Sequence, residues 1–132
     1  MIGSKYGQVI GEFIQRILNR ENFTIIGDGS HTRSFCFVKD GAQIITQLAN
    51  KEAQGFINIG NDAEISILDL AELIHKKFNK PFNPIFLEER KHDHKRRKPD
   101  LTKMKFYLKK FEYTSLDNGI DSTISYFQQN RT

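Results

Sequence analysis

The sequence predicts a small mixed α/β domain of about five helices and short strands, and three observations carry that expectation. Apolar residues recur at helical spacing in several stretches, and short β-rich runs lie between them. Gly27-Asp28-Gly29, Gly60-Asn61, Pro81 and Pro84 punctuate the alternation as turn and breaker signals. The length of 132 residues fits one domain able to bury roughly two thirds of the surface its unfolded chain exposes.

Taken in order, Val9, Ile10, Phe13, Ile14, Ile17 and Leu18 form one apolar stripe and predict a first helix. Phe23 to Ile26 and Ser34 to Val38 read as strands joined by an exposed loop at the Gly-Asp-Gly turn. A second helix is expected from Asp40, its candidate N-cap, to Asn50, with Ile44, Ile45 and Leu48 on its apolar side. Phe56 to Ile59 reads as a buried strand. Ser66-Ile67-Leu68-Asp69 resembles a capping box that opens a third helix carrying Ile67, Leu70, Ala71, Ile74 and Phe78. Ile85 to Leu87 suggests another strand. Asp100 is a candidate cap for a short helix running to Lys109-Lys110, and Ser115 caps a last helix with Leu116, Ile120, Thr123, Ile124 and Phe127 on one side.

Composition is that of a soluble globular protein, with 38% hydrophobic and 27% charged residues and no apolar run long enough to span a membrane. The first residues lack the apolar core of a signal segment, so a cytoplasmic location is the expectation. The single cysteine, Cys36, excludes an internal disulfide and reads as a buried structural thiol in a strand. Net charge is +4, and the excess concentrates between Arg90 and Lys110, a patch suited to an anion.

Candidate site residues follow from this chemistry. In the Gly27 to Arg33 loop, two glycines allow close approach of a ligand, and Arg33 offers a planar fork of donors matched to phosphate oxygens. Taken alone, the glycines equally describe a tight turn. His31 reads as a solvent-exposed loop residue. Asn58 can donate to a phosphate or a sugar hydroxyl, or satisfy backbone groups at a strand end. Arg90, Asp93, Arg96 and Arg97 combine cations for phosphates with a carboxylate for ribose hydroxyls. His92 and His94 flank Asp93 but lack the further ligands of a structural zinc site, so no metal is expected.

Gly27-Asp28-Gly29-Ser30-His31-Thr32-Arg33-Ser34-Phe35-Cys36-Phe37-Val38, then Asn58-Ile59-Gly60-Asn61, then Arg96-Arg97-Lys98-Pro99-Asp100 stand in an order that carries a family likeness. The chain resembles the C-terminal, substrate-binding part of the extended short-chain dehydrogenase/reductases that act on nucleotide sugars, nearest to the UDP-glucuronate decarboxylase and sugar-nucleotide 4,6-dehydratase branches. The resemblance runs from about Gln8 to Phe127 and implies an α/β substrate domain without its Rossmann half. It implies that Arg33 contacts a nucleotide diphosphate and that Asn58 lies near the nucleotide. It gives Arg90 with Asp93, or Arg97, the tasks of holding phosphate and ribose, and it places the base against Gln8, Val9 and Ile10. The family's glutamine two positions before the arginine is His31 here.

The family's chemistry uses a bound nicotinamide cofactor and a tyrosine four residues before a lysine. Tyr6, Tyr107, Tyr113 and Tyr126 are followed at that spacing by Ile10, Phe111, Asp117 and Asn130, and no glycine-rich turn follows a first strand. The expectation is a nucleotide-sugar-binding domain spanning residues 1–132, taking a UDP- or dTDP-sugar, binding no NAD by itself and catalytically incomplete alone. A separate Rossmann-domain partner or a homo-oligomer would cover faces left bare. Two other readings are a basic nucleic-acid-binding module on Lys91 to Lys110, poorly supplied with stacking aromatics, and an oligomeric remnant without a ligand.

Overall fold

The computed structural model describes residues 8–89, 91 and 95–131. Along the chain run α1 (Val9–Leu18), β1 (Thr24–Ile26), β2 (Thr32–Ser34), α2 (Val38–Asn50), β3 (Glu64–Ser66), α3 (Ile67–Lys77), β4 (Ile85–Leu87), β5 (Arg96–Arg97), α4 (Thr102–Tyr107) and α5 (Leu116–Gln129). The mixed α/β class and the five helices agree with the sequence. The strands form two small sheets: β1 with β4 in parallel, and β3-β2-β5 with β2 antiparallel to β3 and parallel to β5.

Two apolar clusters hold the elements together. In the larger one, Phe13 and Ile14 of α1, Phe23, Ile25 of β1, Leu70, Ala71 and Ile74 of α3, and Ile120 and Ile124 of α5 are buried. Burying a side chain the size of Ile14 or Leu70 contributes about 1.5–3 kcal/mol, so α1, α3 and α5 are held by their stripes rather than by helix propensity. The smaller cluster joins Ile44 and Leu48 of α2 to Leu101, Met104 and Leu108 around α4. Ser66 and Ser115 cap α3 and α5 as expected, accepting from the amides of Asp69 at 3.0 Å and Asn118 at 3.1 Å.

Several expectations are corrected. The second strand is Thr32–Ser34, earlier than Ser34 to Val38, because its partners β3 and β5 reach only those residues. Helix α2 starts at Val38 with Phe37 as its N-cap, so Asp40 falls in its first turn and does not cap it. Asp40 is buried, and its carboxylate accepts from the Thr114 amide and hydroxyl, both at 2.8 Å, which ties α2 to the segment before α5. Phe56 to Ile59 is not a buried strand: it has no strand partner among the described residues, and Phe56 is fully exposed. The fourth helix stops at Tyr107, two residues short of Lys109. Its formal N-cap is Leu101, while Asp100 accepts from the Thr102 amide at 3.0 Å and hydroxyl at 2.6 Å. Cys36 is exposed, because the strand ends before it. No helix among the described residues is long and apolar enough to cross a membrane.

Asp40→Ala leaves the Thr114 amide and hydroxyl without their acceptor, and stability should fall by about 1–3 kcal/mol. Urea unfolding should show a lower midpoint with an unchanged slope.

Candidate functional site

The loop between β1 and β2 is built on glycine geometry. Gly27 and Gly29 have φ of 70° and 79°, a backbone region that L side chains rarely adopt, and Asp28 accepts from the Ser30 amide at 2.9 Å. The turn seats on the first turn of α3: Gly29 O accepts from Leu68 N at 3.0 Å, and His31 O accepts from Ile67 N at 2.9 Å. These carbonyls take up amides that the helix start leaves without internal partners. A Cβ on Gly29 would stand 2.9 Å from Leu68 Cβ, so the close approach that glycine permits here is to α3.

His31 is buried rather than solvent-exposed, a correction to the sequence reading. Its Nε2 lies 2.8 Å from Glu89 Oε1, which fastens the loop to the segment following β4. Nothing in the local sequence pairs residues 58 positions apart.

Beyond the turn, β2 sorts its side chains by the period-2 rule. Thr32 and Ser34 point to one face of the sheet and Arg33 to the other. In register, Thr32 stands opposite Arg96, while Arg33 stands opposite Arg97 on β5 and Ile65 on β3. On the Thr32 face, Glu64 takes a two-pronged bond from Arg96, Nε to Oε1 at 2.8 Å and Nη2 to Oε2 at 2.7 Å, and a third from Thr32 Oγ1 at 2.9 Å. The Arg96 and Thr32 hydrogen bonds hold the Glu64 carboxyl down at about 2, well below its ordinary 4.5. On the opposite face, Arg33 and Arg97 are neighbours. Arg33 is half-buried with Nη1 donating to Thr32 O at 2.8 Å, and Arg97 is exposed.

Asn58 is exposed, and its Nδ2 donates to Asp100 O at 3.4 Å, which joins the segment after α2 to the strand-to-helix segment that begins at Arg96. Tyr113 supports it from behind by donating to Gly60 O at 2.6 Å. Partial burial, followed by the nearby Cys36, Asp62 and Asp40, raises the Tyr113 phenol above its ordinary value and keeps it a donor. Arg96, Lys98, Pro99 and Asp100 line an open hollow on this side.

The structure thus groups Arg33 with Arg97, and Asn58 with Asp100 on the same β5-to-α4 segment. Gln8, Val9 and Ile10 stand apart, at the start of α1, which packs on α3 and α5. Val9 and Ile10 are half-buried against the larger cluster, while Gln8 is exposed and makes no side-chain cap bond. Arg90 and Asp93 lie outside the described residues. Sequence reasoning missed Glu64, because a three-residue strand in a polar stretch has no periodicity to find, and its partner is 32 residues away. Among the described residues, no group of three or more acidic, histidine or cysteine side chains is placed to hold a metal.

Comparisons with known proteins bear on this arrangement. Residues 2–60 match the model of the NAD dependent epimerase/dehydratase family. The UDP-glucuronic acid decarboxylase 1 of Danio rerio is 35% identical over 123 residues, 93% of this chain and 29% of that protein. The UDP-glucuronic acid decarboxylase 2 of Arabidopsis thaliana is 34% identical, over 93% of this chain and 28% of that protein. Among solved structures, the UDP-N-acetylglucosamine 4-epimerase of Methanobrevibacter ruminantium in complex with UDP-N-acetylmuramic acid aligns with a TM-score of 0.84 at 27% identity, covering 98% of this chain and 42% of that one. The UDP-glucuronic acid 4-epimerase of Bacillus cereus, in complex with UDP-glucuronic acid and NAD, aligns with a TM-score of 0.79 at 26% identity, covering 92% and 40%. The chain therefore spans less than a third of the length of these curated relatives.

Two outcomes test the local architecture. Gly29→Ala should cost about 1–3 kcal/mol, from the left-handed backbone and the Leu68 contact, whereas Gly41→Ala, in open space on α2, should stabilise by about 0.5–1 kcal/mol. Parallel urea titrations of the two variants read both signs.

The second outcome concerns pH. Because the folded Glu64 carboxyl ionises at about 2 instead of 4.5, its contribution to stability is complete above 4.5 and disappears as pH falls through 2. The melting-temperature gap between wild type and Glu64→Gln should be constant from neutral pH down to about 5 and close below that. A gap that stayed constant down to the acid limit would contradict the assignment.

Proposed function

The chain belongs to the NAD dependent epimerase/dehydratase family, and on that premise we propose that it is the part that holds a nucleotide sugar. Its fold is that of the C-terminal portion of the extended short-chain dehydrogenase/reductases. The observation that carries the proposal is the register of β2 and β5, which puts Arg33 and Arg97 side by side on one face while Glu64 neutralises Arg96 on the other. Two adjacent guanidinium forks supply the charge and the paired donors that a diphosphate accepts.

In this reading Arg33 and Arg97 hold the diphosphate, and Asn58 donates to a phosphate or sugar oxygen from beside Asp100. Arg90 adds a phosphate contact and Asp93 accepts from the ribose hydroxyls, both from outside the described residues. The base sits at the start of α1. The amides of Val9 and Ile10 have no carbonyl one turn back within the helix, and Gln8 places no side chain over them, so they suit the carbonyl edge of a uracil or thymine. The UDP-sugars in the two structural relatives support a substrate of this class. With no tyrosine four residues before a lysine and no glycine-rich cofactor turn, these residues bind and orient the substrate without performing the reaction or holding NAD. A cytoplasmic site of action fits nucleotide-sugar chemistry.

Calorimetric titration with UDP, dTDP, UDP-glucuronate and NAD tests the reading. A uridine or thymidine diphosphate should bind and NAD should not. Arg33→Ala, which removes a charge-assisted contact of about 1.5–3 kcal/mol, should weaken affinity by roughly 10- to 100-fold, and Arg97→Ala should weaken it in the same direction. Nucleotide affinity unchanged in both variants would overturn the assignment.

A further inference from the structure

Strands β1 and β2 run beside β4 and β5 as two parallel ladders in succession. The first ends where Ile26 pairs with Leu87 and the Gly27 amide donates to Leu87 O at 2.9 Å. The second opens where the Thr32 amide donates to Lys95 O, also at 2.9 Å, and Thr32 pairs with Arg96. Four residues separate Gly27 from Thr32 on one chain, whereas seven separate Leu87 from Lys95 on the other. A parallel ladder cannot run in register through intervals of unequal length, so the pairing of β1 with β4 does not by itself fix how β2 meets β5.

The composition of β5 does not choose a frame. It consists of Arg96 and Arg97, and a slip of one residue would set Arg96 opposite Arg33 and turn Arg97 to the other face. Identical side chains make the two frames alike. The bond between Arg96 and Glu64 opposes the slip, but it lies on an exposed face, where an ion pair adds little. A buried contact spans the interval between the ladders. The His31 ring is 8% exposed, and its Nε2 lies 2.8 Å from Glu89 Oε1. Glu89 reaches it across Gly27, where an added Cβ would stand 3.7 Å from the Glu89 Cγ.

We propose that His31 and Glu89 form a clasp that sets the register of β5 on β2, so that Arg97 and not Arg96 stands beside Arg33. Both are positioning residues, acting through the strand that carries Arg97. Holding Glu89 takes two residues out of the seven-residue interval and leaves five between the clasp and Lys95. A shorter connection allows fewer alternative frames. An imidazole N–H that donates to a carboxylate makes a charge-assisted, directional bond, and burial of the His31 ring strengthens it. The consequence for substrate rests on the diphosphate reading above, because that reading is what gives the choice between Arg96 and Arg97 a function.

Interstrand nuclear Overhauser contacts in the full chain at neutral pH read the register directly. Wild type should join Thr32 to Arg96 and Arg33 to Arg97. Glu89→Ala, at a half-exposed side chain, and His31→Ala should each weaken those contacts at least threefold or replace them by contacts one residue out of step. Hydrogen exchange at the Thr32 amide should quicken at least tenfold in both. His31→Gln, whose amide can donate to the same carboxylate, should keep both readouts within about twofold of wild type. Asp40→Ala is the control for lost stability alone and should leave the contacts in place. Contacts unchanged in Glu89→Ala, or lost equally in Asp40→Ala, overturn the clasp. Titration of the same proteins with UDP separates the two proposals. Affinity should fall at least fivefold in Glu89→Ala and hold in His31→Gln. A register that shifts while wild type binds no UDP, or while affinity stays constant, removes only the diphosphate assignment, and weakened binding with the register intact removes only the clasp.

Discussion

The seating of the Gly27–His31 turn on the first turn of α3 is the contact on which the rest of the molecule depends. The turn joins β1, which belongs to one sheet, to β2, which belongs to the other, and its carbonyls occupy the amides at the start of α3. That single junction fixes the larger apolar cluster, because β1 and α3 contribute Ile25, Leu70 and Ile74 to it. It also fixes where β2 begins, and with it which residues face which way. Only glycine satisfies both the backbone angle and the distance to Leu68 at position 29.

From that anchored start, alternation along β2 converts sequence into electrostatics. One residue's difference in position sends Thr32 to the face where Glu64 and Arg96 pair and Arg33 to the face where Arg97 stands. The exposed ion pair between Arg96 and Glu64 adds little to stability by itself. Its greater effect is on charge: one of two consecutive arginines is neutralised, and the other stays on the face that carries Arg33. The anion site proposed for Arg33 and Arg97 depends on strand register more than on the number of basic residues. That is why a crowded stretch of lysines and arginines in the sequence resolves to a few positions in space.

The two apolar clusters divide the work. The larger one makes α1, α3 and α5 a self-sufficient packing unit around β1. The smaller one attaches α2 and α4, with help from the Asp40–Thr114 bonds and the Tyr113–Gly60 bond that span the clusters' connections. The exposed apolar groups of α2 and of Phe56 belong to this second, thinner part, where a buried layer is on one side only. Asn58 and Asp100, joined by the Asn58 side chain, flank Ile57 and Leu101 of this smaller cluster.

The sequence by itself determined the mixed α/β class, the five helices with their Ser66 and Ser115 caps, the β4 segment, the family and the residue types suited to a nucleotide diphosphate. These are local properties: periodicity, capping chemistry and motif order are written in consecutive residues. Tertiary structure alone decided which arginine faces Arg33, that His31 is buried against Glu89, that Asp40 bonds Thr114 instead of capping α2, and that Cys36 is exposed. It also decided that Phe56 to Ile59 lacks a ladder. Each of those depends on a partner dozens of residues away, or on a strand neighbour that no local pattern specifies. A strand three residues long, such as β2 or β3, takes its existence and its facing from the chain it pairs with rather than from its own composition.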